Sequence, residues 1–208
     1  MSEVIITVRG ESRRSVPAER ATAQITVAVD GPERGAVIER IAAIAEPVRT
    51  GLAHRHERGV VAAWHSQRPA VWSECPENRD GTQLPLVHHA TVDISATFTD
   101  TMALSDWLNT LAVHDGIQIG PLTWELAPQS HARIEREVAF EAVAVAVERA
   151  HAYAGAIGRG TLTPVEIADA GMLGDNARTA TMLRASAIDI HPDDITIAAA
   201  VEARFRAT

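Results

Sequence analysis

Nine histidines are the first residues in this chain whose type could do chemistry, and three groups of them are close enough in sequence to suggest a metal: His54-Arg55-His56, His65 and His88-His89. A zinc site needs three or four ligands converging on one point, and the helical HExxH spacing that would supply two of them is absent. His54 and His56 are two residues apart near a helix end and cannot share one helix face. Cationic histidine there is stabilised by the helix dipole, which is a sufficient structural reason for it. His88 and His89 are neighbours in a strand and point to opposite faces. Nucleophilic chemistry is equally poorly served. Gly10-Glu11-Ser12-Arg13 departs from the G-x-S-x-G elbow. Every basic residue is arginine, so Schiff-base, Ser-Lys and Walker-type phosphate chemistry are excluded. Cys75 is the single cysteine, which rules out an intrachain disulfide, a CxxC pair and a Cys-rich zinc site.

The remaining polar groups read as structure. Asp193-Asp194 closes a loop before the last strand, and Glu166 with Asp169 reads as a solvated strand edge. Arg13-Arg14 with Arg20 could hold an anion, but a solvated loop explains them. Gly158-Arg159-Gly160 lacks the following helix that a phosphate cradle requires and reads as a helix stop. Trp64, Trp72, Trp107 and Trp124 read as core or interface anchors. No catalytic residue, no cofactor-binding residue and no metal ligand is therefore assigned, and no cofactor is expected.

The elements that carry these residues are set by periodicity. With 208 residues the chain suits one sizeable domain, expected to span residues 1–208. Its net charge of -8 disfavours non-specific nucleic-acid binding. The longest apolar stretch, Ala142 to Val147, is far below the roughly 20 residues of a membrane helix, so no membrane span is expected. The N-terminal residues lack a basic leader and alternate like a strand, which gives cytoplasmic residence as the expectation.

Alternation of period two marks strands at Ala21–Val29, Ala90–Phe98 and Ile195–Phe205, each with one apolar and one polar face. The helical period runs through Val37, Ile38, Ile41, Ile44, Ala45, Val48 and Leu52, with a kink expected at Pro47. A short helix carries Leu104, Trp107, Leu108 and Leu111, with Asp100 or Thr101 as N-cap and Gly116 closing it. An alanine-rich helix runs from about Ser130 to Ile157. Val60 to Trp72 reads as one long strand, Glu74 to Gln83 as a hairpin tip, and Ile117 to Leu126 as a strand bulged at Gly120-Pro121. Val165 to Ala168 is a short strand, and 172–194 reads as a long loop. The expected fold is α+β, an antiparallel-rich sheet with about three helices packed on it and two strand–helix–strand passages that hint at a duplicated unit.

This order of elements resembles the SIMPL-domain family. Val8-Arg9-Gly10 followed by Val16-Pro17-Ala18-Glu19-Arg20-Ala21 is similar to that family's V-x-G and P-D-x-A opening, with Ala18-Glu19 in place of Pro-Asp. His89-Ala90-Thr91-Val92 stands where the family has Tyr, a small residue and a strand. Leu104, Leu108 and Leu111 with Gly116 and Ile119 resemble its short helix and turn. Ala142, Ala146, Glu148-Arg149-Ala150, Ala154 and Gly158, then Leu162-Thr163-Pro164-Val165 and Ile167, resemble its small-residue helix and following strand. The resemblance implies an α+β fold of helices on antiparallel sheet. Relatives include bacterial envelope and stress-associated proteins, some assembling into ring-like or channel-like oligomers, and a mammalian kinase-associated signalling adaptor. The family brings no agreed activity or catalytic set.

The function expected on these grounds is that of a non-enzymatic, self-associating interaction or scaffold protein, a homo-oligomer without nucleic acid. A small-molecule binding module is the alternative, and a metal- or Ser-dependent hydrolase the third reading. The alanine face of the third helix permits close approach of another backbone, from the sheet or from a second copy.

Overall fold

A computed structural model describes residues 3–78, 81, 83–170 and 194–208. Of the expected loop 172–194, residues 172–193 lie outside the described residues, as does Asp193. The chain order is β1 (Val4–Val16), β2 (Arg20–Gly31), α1 (Arg34–Glu57), β3 (Val61–Ser66), β4 (Ala70–Glu74), β5 (Val87–Phe98), α2 (Thr101–Ala112), β6 (Ile117–Glu125), α3 (Pro128–Ala156), β7 (Leu162–Asp169) and β8 (Ile195–Ala207). The fold is α+β, as the periodicities require, with every strand pairing antiparallel. The strands form two sheets, and the chain divides into two compact units, one of residues 1–17 with 126–208 and one of residues 18–125.

The unit of residues 18–125 carries its strands in the order β3-β5-β2-β6, with β4 also on β5. Each of its two strand–helix–strand passages, β2-α1-β3 and β5-α2-β6, steps over one intervening strand, the split arrangement of ferredoxin-like folds. The central pair β2–β5 keeps an unshifted register from Ala21↔Phe98 to Gly31↔His88. It buries the alternating set read from sequence: Ala21, Ala23, Ile25, Val27 and Val29 against Ala90, Val92, Ile94, Ala96 and Phe98. Helix α1 covers this face with Val37, Ile41, Ala45, Val48 and Leu52, while Ile38 of the expected stripe is exposed. It runs on through Pro47. Helix α2 adds Leu104, Trp107, Leu108 and Leu111, and Asp100 caps it by accepting from the N–H groups of Met102 at 2.9 Å and Ala103 at 3.2 Å. Gly116, at φ +84°, turns the chain into β6 so closely that its carbonyl accepts from Ala28 N–H at 2.7 Å.

The expected long strand Val60–Trp72 is two strands. β3 and β4 pair with the two halves of β5 and are interrupted at Gln67-Arg68-Pro69. Pro69 has no N–H for the ladder, which explains the break. The bulge expected at Gly120-Pro121 is present as a register shift opposite Ala23 and Ile25.

The other unit is a three-stranded sheet, β1-β8-β7, covered on one face by α3. Here β1 and β7 are longer than the sequence suggested. Ile6, Val8, Val201, Ala203, Phe205 and Ala207 face Ala142, Ala146, Ala150 and Ala154 of α3, all buried. Gly10 lies where this contact is closest: a Cβ there would fall 2.0 Å from the Ala142 carbonyl oxygen and 2.6 Å from the Ala146 nitrogen. The backbone that the alanine stripe admits is that of β1. The helix ends at Gly158, φ +70°, where Gly158 N–H donates to Gly155 and Arg159 N–H to Ala154, the double bond pattern of a Schellman stop.

Candidate functional site

Strand β1 concentrates the polar structure of its unit. Its odd-numbered residues face away from α3, where Arg9 Nε and Glu11 Oε1 are 2.6 Å apart. Its even-numbered residues face the helix. Ser12 Oγ donates to Glu141 Oε2 at 2.7 Å, and the Arg14 guanidinium bridges Glu137 and Glu141 through Nη1 and Nη2. Arg133 donates to Glu137 at 2.9 Å, one helical turn before it. Arg149, further along α3, donates to the backbone carbonyl of Arg9 at 2.8 Å. Arg14 therefore does not belong to a loop. Arg13 and Arg14 point to opposite faces of a strand, so the pair cannot close on one anion. Arg20 opens β2 opposite Glu125.

The ion network shifts its members in the direction of holding charge. The Ser12 hydroxyl and then the Arg14 charge hold the Glu141 carboxyl below its ordinary range, against partial desolvation. Arg133 and then Arg14 do the same for Glu137, and Glu141 foremost raises Arg14. Carboxyls depressed in the folded state stabilise it above their unfolded pKa, and that stability is lost as pH falls through the folded value. Chemical denaturation from pH 7 to pH 3 is therefore expected to show the native protein losing stability below about pH 4. Arg14→Gln should start less stable and fall less steeply over the same range. Parallel curves would show that the Arg14 bridges contribute nothing.

Among the described residues the histidines do not converge. His56 Nδ1 donates to the Val61 carbonyl at 2.8 Å and pins the end of α1 to β3. On the β4–β5 ladder Ser73 Oγ is 2.6 Å from His88 Nδ1, a Ser–His pair that the sequence reading missed because the register of β4 on β5 was not legible. Glu74, the carboxylate that could orient a catalytic imidazole, lies on the other face. It sits 3.3 Å from Nε2 of His89, which stacks on Trp72 with ring centroids 5.3 Å apart. The His89 Nε2 contact has the distance of an ion pair but not the geometry of a hydrogen bond. The serine, the imidazole and the acid of a triad are thus split between two faces of one sheet. Among the described residues no three His, Cys, Asp or Glu side chains form a metal-binding group.

The other groups singled out from sequence are also separated. Glu166 binds Arg204 at 3.1 Å, and Asp169 ends β7 on its opposite face. Trp107 is core, Trp64 and Trp124 are half-buried against the same core, and Trp72 is exposed on its histidine. Cys75 is exposed. No helix among the described residues is long and apolar enough to cross a membrane.

The sheet edges differ in how they are closed. β7 carries Pro164 and a register shift between Pro164 and Glu166. β6 carries Pro121 and its bulge, and the β3/β4 edge is broken at Pro69. Proline and bulges are the usual devices that stop an edge from adding strands. β1 has neither: it pairs with β8 without a shift from Val4↔Ala207 to Val16↔Ile195, and among the described strands β8 is its one partner.

Two sheets of antiparallel strands, each with helices on one face, define an α+β protein. The chain belongs to the SIMPL family, a family of proteins of unknown function (DUF541), whose model matches residues 6–205 and so spans both units. No curated protein matches it.

Proposed function

We propose that this chain is a non-enzymatic, self-associating interaction or scaffold protein, and that the edge of β1 is where copies join. The observation that carries this reading is the contrast between edges: three carry a proline and a break or shift in register, and the thirteen-residue strand β1 carries neither. Charge complementarity supports a second copy as the occupant. In a two-fold antiparallel pairing centred on Gly10, Arg9 of each copy stands opposite Glu11 of the other, on the face away from α3. Arg149 holds the Arg9 carbonyl in the isolated chain and must release it for the added strand.

Light scattering across a concentration series is expected to give a species larger than one chain. Arg9→Glu sets like charges against each other twice and should weaken association about tenfold or more. Arg9→Glu with Glu11→Arg should restore it. A strict monomer at high concentration, or no difference between the single and the double variant, overturns the reading. The same proposal places the protein in the cytoplasm, a reading supported by its lone exposed thiol, which suits a reducing compartment.

A further inference from the structure

A second surface, independent of the β1 edge, lies in the unit of residues 18–125. Helices α1 and α2 part over the sheet to leave a cavity of about 270 Å³. Its floor and walls are apolar: Ile44, Pro47 and Val48 from α1, Trp107 and Leu111 from α2, and Ile117 from the start of β6. An apolar cavity of about 150 Å³ suffices for benzene, so this one has room for a ring and a short chain. Arg55 stands in the same wall, half-buried. Gly51 leaves it room, because a Cβ there would sit 3.1 Å from Arg55 Nη1. That Nη1 donates to the Gly51 carbonyl at 3.0 Å, and among the described residues the Arg55 guanidinium makes no ion pair and no other hydrogen bond. A guanidinium has five N–H donors, so most of this one's capacity is unused.

We propose that this groove binds a small amphipathic carboxylate, with its hydrocarbon body on Ile44, Val48, Trp107 and Leu111 and its carboxylate on the free donors of Arg55. Two further charge-bearing residues, His114 and Asp115, line the mouth, but both are exposed. Their fields are screened by water, whereas a half-buried guanidinium acts at short range through charge-assisted hydrogen bonds. The sign of the ligand therefore follows Arg55.

Calorimetry and thermal shift with 3-phenylpropionate, its amide and phenethylamine test this directly. The acid is expected to bind at least about tenfold tighter than the amide, the amine weakest. Arg55→Gln should erase the preference of acid over amide. Ala43→Leu, which fills the exposed lip of the groove without entering the core, should remove binding of acid and amide alike. The proposal is overturned if none of the three probes binds, if the amide matches the acid, if the amine is preferred, or if Ala43→Leu binds as the native protein does.

Discussion

Replacing Gly10 with alanine is expected to destabilise the unit of residues 1–17 and 126–208 by about 3 kcal/mol or more, at the upper end of overpacking effects. The added methyl would occupy space held by the Ala142 carbonyl oxygen at 2.0 Å, the Ala146 nitrogen at 2.6 Å and the Ala146 Cβ at 2.9 Å. These are backbone atoms and a stub of side chain, with no rotamer to swing aside, so α3 as a whole must lift from β1. Loss of chain entropy in the unfolded state works the other way, but Gly→Ala gains only about 0.4–1 kcal/mol from it. The steric term wins. Gly155 in the same helix has nothing within 4 Å of its own added Cβ, so Gly155→Ala should be neutral or stabilising by up to about 1 kcal/mol. Urea denaturation of the two variants, with hydrogen exchange of β1 and α3 amides, distinguishes them. Equal stabilities would mean that α3 does not rest on Gly10.

Phe98→Ala is expected to cost the unit of residues 18–125 about 3–5 kcal/mol, the range for deleting a buried aromatic ring. Phe98 is 1% exposed, ends the buried face of β5 and packs on Trp107 with ring centroids 5.1 Å apart. Its neighbours across the ladder are Ala21 and Val61, which lack the bulk to close the void. Against a total stability of roughly 5–15 kcal/mol for a domain, such a loss brings this unit close to unfolding at room temperature. Phe98→Leu, which keeps most of the volume, should recover most of the difference. A cost below about 1 kcal/mol for the alanine variant would contradict the packing described for this core.

The half-exposed strands and the three helices were legible because their signals are local. The alternation from Ala21 to Val29 and from Ala90 to Phe98 names its own buried face, and Asp100 announces α2 by its side chain. Gly120-Pro121 marked its bulge for the same reason. What escaped the sequence is what depends on pairing at a distance. The split of Val60–Trp72 had a local mark in Pro69, but that both pieces pair with β5 was not written in either of them. The Ser73–His88 contact required the β4 register, and the Arg14 bridge required α3 to lie over β1. Arg13-Arg14 read as a loop because arginines interrupt the apolar alternation of β1, although Ser12 and Arg14 keep its period with polar atoms. The two sheets, expected as one, follow from which strands meet, and no single segment encodes that. The groove beside Arg55 was invisible for the same reason, since its walls come from α1, α2 and β6.

The pairing of β1 with β8 also sets a clock. Val4 meets Ala207, about 200 residues downstream, and at ordinary synthesis rates that partner leaves the ribosome about 10–40 s after β1 does. Residues 18–125 are contiguous and can close on themselves meanwhile. Throughout that interval the nascent chain carries an unpaired strand with Val4, Ile5, Ile6 and Val8 at its apolar end, a segment suited to capture by holdase chaperones or by the same strand on a neighbouring ribosome. Assembly of this protein, if it uses β1, can therefore begin before any copy is complete.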